Sequence, residues 1–207
     1  MTIQVAQISA TAMVHCTIAW YDSAMKHFIS LVLSIFILSA CASSAVTNEV
    51  VDEAAMSGGG TSPEVTVESF LSDLNKALKD PDLNRADVRD TWADALANYF
   101  VPVERTAQRA AIRASLDNLA EGVSQLNADE EVSFEISFEP ARRVREDQDT
   151  VYVEVPNAVI SLVIQRTSNR GNTTIWQQDE SLGYLIGSNE NIFPVMRVGV
   201  RWFLTEN

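Results

Sequence analysis

The apolar residues of this chain change their period once, and that change limits the fold more than any single residue does. Up to about residue 121 they recur every three or four positions: Val67, Phe70, Leu71, Leu74, Ala77 and Leu78; then Val88, Trp92, Leu96, Tyr99 and Phe100; then Ala111, Ile112, Leu116, Leu119 and Ala120. That spacing lines one face of a helix. From residue 132 the interval drops to two, with Val132, Phe134, Ile136 and Phe138 alternating with Ser133, Glu135, Ser137 and Glu139. Such alternation makes a strand with one apolar and one polar face. Helices followed by strands, with no strand-helix alternation, predict an α+β domain with N-terminal helices packed on one face of an antiparallel sheet. A doubly wound parallel fold lacks its crossover helices here.

Local signals set the expected boundaries. Ser62-Pro63-Glu64 starts a helix with a capping hydroxyl, proline in the first turn and an acid near the helix dipole, Thr66 being an alternative cap; the helix ends near Asp80-Pro81. The second helix begins at about Arg85, capped by Asn84 or Asp82, and Pro102 interrupts it after Phe100. The third spans about 104–121, with Gly122 suited to its C-terminal cap. Arg105, Arg109 and Arg113 fall on one face of it, which reads as a solvated stripe. In the second half, 142–149 reads as a charged turn, and 150–167 as a long β run bent or bulged at Pro156-Asn157. A hairpin turn is expected at 168–172, short strands at 173–177 and 182–186, and a closing hairpin whose strands, 193–197 and 200–205, flank Val198-Gly199.

Upstream, residues 25–41 read MKHFISLVLSIFILSAC. Lys26 gives a short positive start, 28–38 an apolar run, and Leu38-Ser39-Ala40-Cys41 the close, the order of a secretory signal peptide. The run is shorter than the roughly 20 residues that a membrane-spanning helix needs. Its ending resembles the lipobox of bacterial lipoproteins. The resemblance implies cleavage before Cys41, a diacylglyceryl thioether on its sulfur, and a mature protein held on the extracytoplasmic side of a bacterial envelope membrane. Residues 1–24 then read as a mis-placed start or a short extension, residues 25–40 as the signal peptide, residues 41–61 as the lipidated cysteine with a flexible tether, and residues 62–207 as one domain.

Removing the leader also narrows the chemistry. The chain has two histidines and two cysteines. His15, His27 and Cys16 leave with the leader, and Cys41 carries the lipid. The domain is left without histidine or cysteine, which excludes His-dependent triads, thiol nucleophiles, disulfides and His/Cys zinc sites. A net charge of -13 disfavours nucleic acid and any broad adhesion to anionic lipid, leaving the covalent anchor as the membrane contact. Gly58-Gly59-Gly60 lacks the preceding strand and the following Lys-Ser/Thr of a phosphate loop, so it reads as part of the tether. No metal and no cofactor is expected.

The element order, and the closing Arg197-Val198-Gly199-Val200-Arg201-Trp202-Phe203-Leu204, resemble the nuclear transport factor 2-like superfamily, which includes ketosteroid isomerases and SnoaL-type cyclases. The resemblance implies a curved sheet wrapped around a helix as a cone (the cystatin-like class), whose mouth can take a small hydrophobic molecule. It also implies an exposed sheet face that can receive a protein partner or a second copy in a homodimer. For an isomerase-type reaction the candidates by residue type are Glu135, Glu139 and Glu154 as bases and Tyr99, Tyr152 and Tyr184 as donors. None of them sits in a matching motif, and the glutamates occupy solvent-facing positions of their strands, so no catalytic residue is assigned. Trp92, Tyr99, Tyr152, Trp176, Tyr184 and Trp202 are the candidate ligand-lining residues. The expected function is that of a lipid-anchored binding module, with an isomerase or cyclase as the alternative.

Overall fold

The structure, a computed structural model, describes residues 58–169, 171–185 and 191–206. The expected leader, Cys41 and the expected tether up to residue 57 lie outside them. Helices α1 (Pro63–Leu78), α2 (Ala86–Ala97) and α3 (Arg105–Ser124) come first. Strands β1 (Glu130–Ser137), β2 (Arg142–Asp147), β3 (Thr150–Glu154), β4 (Val159–Ser168) and β5 (Gly171–Ser181) come next, then the short helix α4 (Leu182–Leu185) and strands β6 (Ile192–Val198) and β7 (Arg201–Leu204). The strands form two antiparallel sheets, ordered β1-β4-β5 and β2-β3-β6-β7. The class is α+β, as the change of period predicts.

α1 starts where its sequence says it should. The Ser62 hydroxyl accepts from the Val65 amide at 3.2 Å, and Pro63 opens the first turn. Thr66 is not the cap. It is fully buried, and its hydroxyl donates to the Ser62 carbonyl at 2.8 Å while lying 3.1 Å from the Trp202 carbonyl, which fixes the helix start against β7. Val67, Phe70 and Leu71 on α1 share one buried cluster with Leu96, Leu116, Phe134, Val151, Val153, Phe193, Val195 and Leu204. Apolar burial of this kind supplies about 25 cal/mol per Å2 removed from water.

Several expected boundaries shift, each for a physical reason. The N-cap of α2 is Arg85, without a side-chain capping bond, and neither Asn84 nor Asp82 takes that place. Gly122 lies buried inside α3, which runs on to Ser124, so it is not the C-cap. Residues 142–147 are a strand and not a turn. Their side chains are all exposed, so no apolar alternation marks them, yet their backbone pairs with β3. The bend at Pro156-Asn157 is a change of sheet, since β3 and β4 belong to different sheets and Asn157 has a φ of 51°. Residues 182–185 coil into α4 where a strand is expected, with buried Leu182 donating its amide to the Ala158 carbonyl at 2.9 Å and the Gly183 amide held by the Asn191 side chain.

The arginine stripe on α3 faces a partner helix. Arg113 lies 2.8 Å from Asp90 on α2 and also contacts Asp117, which in turn pairs with Arg89 at 2.6 Å. Arg109 pairs with Asp94 and reaches Asp90 at 3.7 Å. Arg105 instead stacks over the Phe203 ring, 5.4 Å from its centroid. α2 and α3 are therefore clamped by alternating charges, a network in which Arg109, Arg113, Asp90 and Asp117 are each held by more than one partner.

The last part of the expected tether belongs to the domain. Gly60 and Trp202 exchange backbone hydrogen bonds of 2.9 and 3.0 Å, and the Gly59 amide donates to the Asn98 carbonyl at 3.1 Å. Phe100 forms a bridge with Leu204 on the same strand. These two segments occupy the outer edge of β7.

Candidate functional site

Two of the six aromatic candidates sit between α1 and α2. The Tyr99 hydroxyl donates to the Asp73 carboxylate at 2.7 Å, and the Trp92 indole N–H donates to Asp80 at 2.7 Å. The Tyr99 ring meets Phe70 edge-on at 5.8 Å between centroids. Burial works against ionisation of Asp73, but hydrogen bonds from Lys76 and Tyr99 outweigh it and hold the carboxyl below its usual range. Burial, together with the same contact, pushes the Tyr99 phenol well up. Asp73 is thus an ionised acceptor, unlike the raised-pKa base that an isomerase site requires.

That pair makes a stability prediction. Tyr99→Phe is expected to cost about 1 to 2 kcal/mol near neutral pH, since the carboxylate loses a charge-assisted bond. A carboxyl with a depressed folded-state pKa stabilises the fold above its unfolded value, and that contribution disappears as pH falls through the folded one. Urea unfolding of both proteins, repeated at decreasing pH, should show the gap narrowing below about pH 4. A gap that is constant with pH would show that the bond does not act through the charged carboxylate.

The other aromatics are spread over both sheets. Trp202 is half-buried on β7, packed against the main core, with the Arg197 guanidinium 6.0 Å from its ring. Trp176 is half-buried on β5 and pairs across the strands with Ile164. In the next two rows on that face, Leu162 pairs with Gln178 and Ile160 with Glu180, and Gln178 donates to Glu180. Tyr184 falls in α4, and its side chain lies outside the described residues. The structure therefore turns Trp92, on α2, and Tyr99, just past its end, toward aspartates on and just after α1, and leaves Tyr152, Trp176 and Trp202 at separate places.

Tyr152 lies on the sheet face turned away from the main core. Alternation along β3 buries Val151, Val153 and Val155 toward α1 and turns Tyr152 and Glu154 outward. The register places Pro194 beside Tyr152, Ile192 beside Glu154, and Met196 between Thr150 and Phe203, so all of these share the face turned away from the main core; at its β7 end that face is covered, Met196 packing against buried Phe203 and Val101. Tyr152, Ile192, Pro194 and Met196 keep part of their surface in solvent. The Arg145 guanidinium lies over the Tyr152 ring at 3.7 Å, and Arg142 pairs with Glu154 at 2.8 Å, giving the patch a polar rim. Sequence reasoning assigns no role to Ile192, Pro194 or Met196. Their signal is the run Ile192-Phe193-Pro194-Val195-Met196, apolar on both faces, which says that a second face has something to cover.

The carboxylates considered as bases are engaged elsewhere. Glu135 accepts from Lys79 at 3.0 Å, Glu139 from Asn157 at 2.7 Å, and Glu154 from Arg142. Glu104, whose carboxyl is pushed up by burial, accepts from the Thr205 hydroxyl at 2.8 Å and the Glu206 amide at 3.2 Å. It ties the C-terminal residues to α3. Among the described residues no group of histidine, cysteine or acidic side chains is arranged to hold a metal ion, and no helix is long and apolar enough to cross a membrane. No protein-family model matches the chain, and no curated protein matches it.

Proposed function

We propose that this chain is a lipid-anchored protein of the bacterial cell envelope whose domain, a cone of the nuclear transport factor 2-like kind, binds a protein partner on the extracytoplasmic side. The observation that carries the reading is the outer face of β3 and β6. Tyr152, Ile192, Pro194 and Met196 present apolar surface there, rimmed by the Arg142–Glu154 pair and by Arg145. An apolar centre with a polar rim is the anatomy of a protein interface. The engagement of Glu135, Glu139 and Glu154 in hydrogen bonds and ion pairs supports binding over proton transfer.

Photo-crosslinking tests this. A benzophenone side chain placed at Ile192 or Met196 in the membrane-bound protein is expected to give an adduct heavier than the chain, whereas the same group at exposed Glu121 on α3 gives none. Equal labelling at all three positions, or none at Ile192 and Met196, would remove the proposed face.

A further inference from the structure

We infer that two copies of the chain pair edge to edge through β2, joining their four-stranded sheets across a two-fold axis. β2 is the end strand of its sheet, and among the described residues only β3 pairs with it. Its sequence, Arg142-Arg143-Val144-Arg145-Glu146-Asp147, is basic at one end and acidic at the other. A strand with one sign of charge along it repels a copy of itself, and native edges use that to stay single. Here the sign reverses, so an antiparallel copy meets opposite charge at both ends. Arg142 falls opposite Asp147 of the second copy, and Arg143 opposite Glu146 of the second copy.

The bulge in β2 makes this register physically consistent. In a regular strand, residues separated by an odd number of positions point to opposite faces, so Arg142 and Asp147 could not meet across a pair. The register with β3 slips between Arg143 and Arg145, leaving Val144 as the extra residue. After the slip, Arg142, Arg145 and Asp147 share the outer face, opposite Glu154, Tyr152 and Thr150, while Arg143 and Glu146 share the inner one, opposite Val153 and Val151. Both charge pairs then match in sign and in face; at the axis Arg145 falls opposite Arg145 of the second copy, each guanidinium drawn over its own Tyr152 ring, and Val144, 45% exposed, sits beside them. Glu146 and Asp147 are exposed and have no ion-pair partner among the described residues, whereas Arg142 and Arg143 reach Glu154 and Glu64 within the chain. A second copy supplies the missing cations, and its edge adds main-chain hydrogen bonds.

Charge exchange tests the pairing. R142E/R143E makes the edge acidic at both ends, and E146R/D147R makes it basic throughout. The full-length wild-type protein, sedimented in detergent with micelles in excess, is expected to dimerise. Each variant alone should weaken the dimer about tenfold or more, because the cross-strand charge pairs become repulsions. An equimolar mixture of the two variants should restore it. E146R/D147R removes no ion pair within the chain, so loss of dimer in that variant cannot be ascribed to damage at Glu64 or Glu154. A wild type that stays monomeric, a basic variant that dimerises as tightly as wild type, or folded variants that fail to restore the dimer when mixed would overturn the inference. Ile192 cross-links that persist in a monomeric variant would keep the partner-binding face apart from this result.

Discussion

Replacing Cys41 with serine is expected to move most of the chain from the membrane fraction to the soluble extracytoplasmic fraction and to abolish incorporation of labelled palmitate. The proposed anchor sets the size of the effect. Each buried CH2 contributes about 0.8 kcal/mol, so one acyl chain holds a protein marginally and two hold it stably. A diacylglyceryl thioether carries two, and serine offers no sulfur to receive it. Little else would retain the domain: a net charge of -13 opposes adhesion to anionic lipid, and no described helix is long and apolar enough to cross a bilayer. The rival is an uncleaved signal anchor formed by the apolar run at 28–38. It predicts that Cys41→Ser leaves membrane retention unchanged and that the leader stays on the purified protein. That outcome would end the lipoprotein reading and leave the domain to be interpreted without it.

How much of the domain is legible in the sequence depends on whether its physics is periodic. α1, β1 and the closing hairpin are, because Val67, Phe70 and Leu71, the alternation from Val132, and Gly199 between β6 and β7 each repeat or punctuate a pattern set by burial. β2 is not, since an exposed edge strand has no face to bury and its arginines and acids look like a turn. The arginines of α3 look like a solvated stripe because their partners, Asp90 and Asp94, lie on a different helix. The outer sheet face is legible only in part. Tyr152 can be picked out by its type, but that Pro194 stands beside it depends on the pairing of β3 with β6, which local sequence does not contain.

Glycine composition misleads most at residues 58–60, and there a single methyl group is expected to have a large effect. Gly59 has a φ of +61°, and a Cβ on it would lie 2.6 Å from the Phe203 ring and in contact with the Trp202 carbonyl oxygen. Neither neighbour can give way. Phe203 is fully buried, and the segment is fixed on both sides by the bonds from Gly59 to Asn98 and between Gly60 and Trp202. Gly59→Ala must therefore adopt a disfavoured backbone and displace packed atoms together, at a cost on the order of 3 kcal/mol. For a domain of this length that lowers the melting temperature by about 10 °C. Gly171 supplies the control, because its φ is +108° but nothing lies within 4 Å of its added Cβ. Gly171→Ala bears the backbone cost alone, about 1 to 2 kcal/mol. A flexible tether predicts the opposite ranking, with Gly59→Ala silent, since an unattached backbone has no conformation to lose. Thermal unfolding of the two variants therefore decides whether the domain begins at Ser62 or reaches back to take residues 58–60 onto the edge of β7.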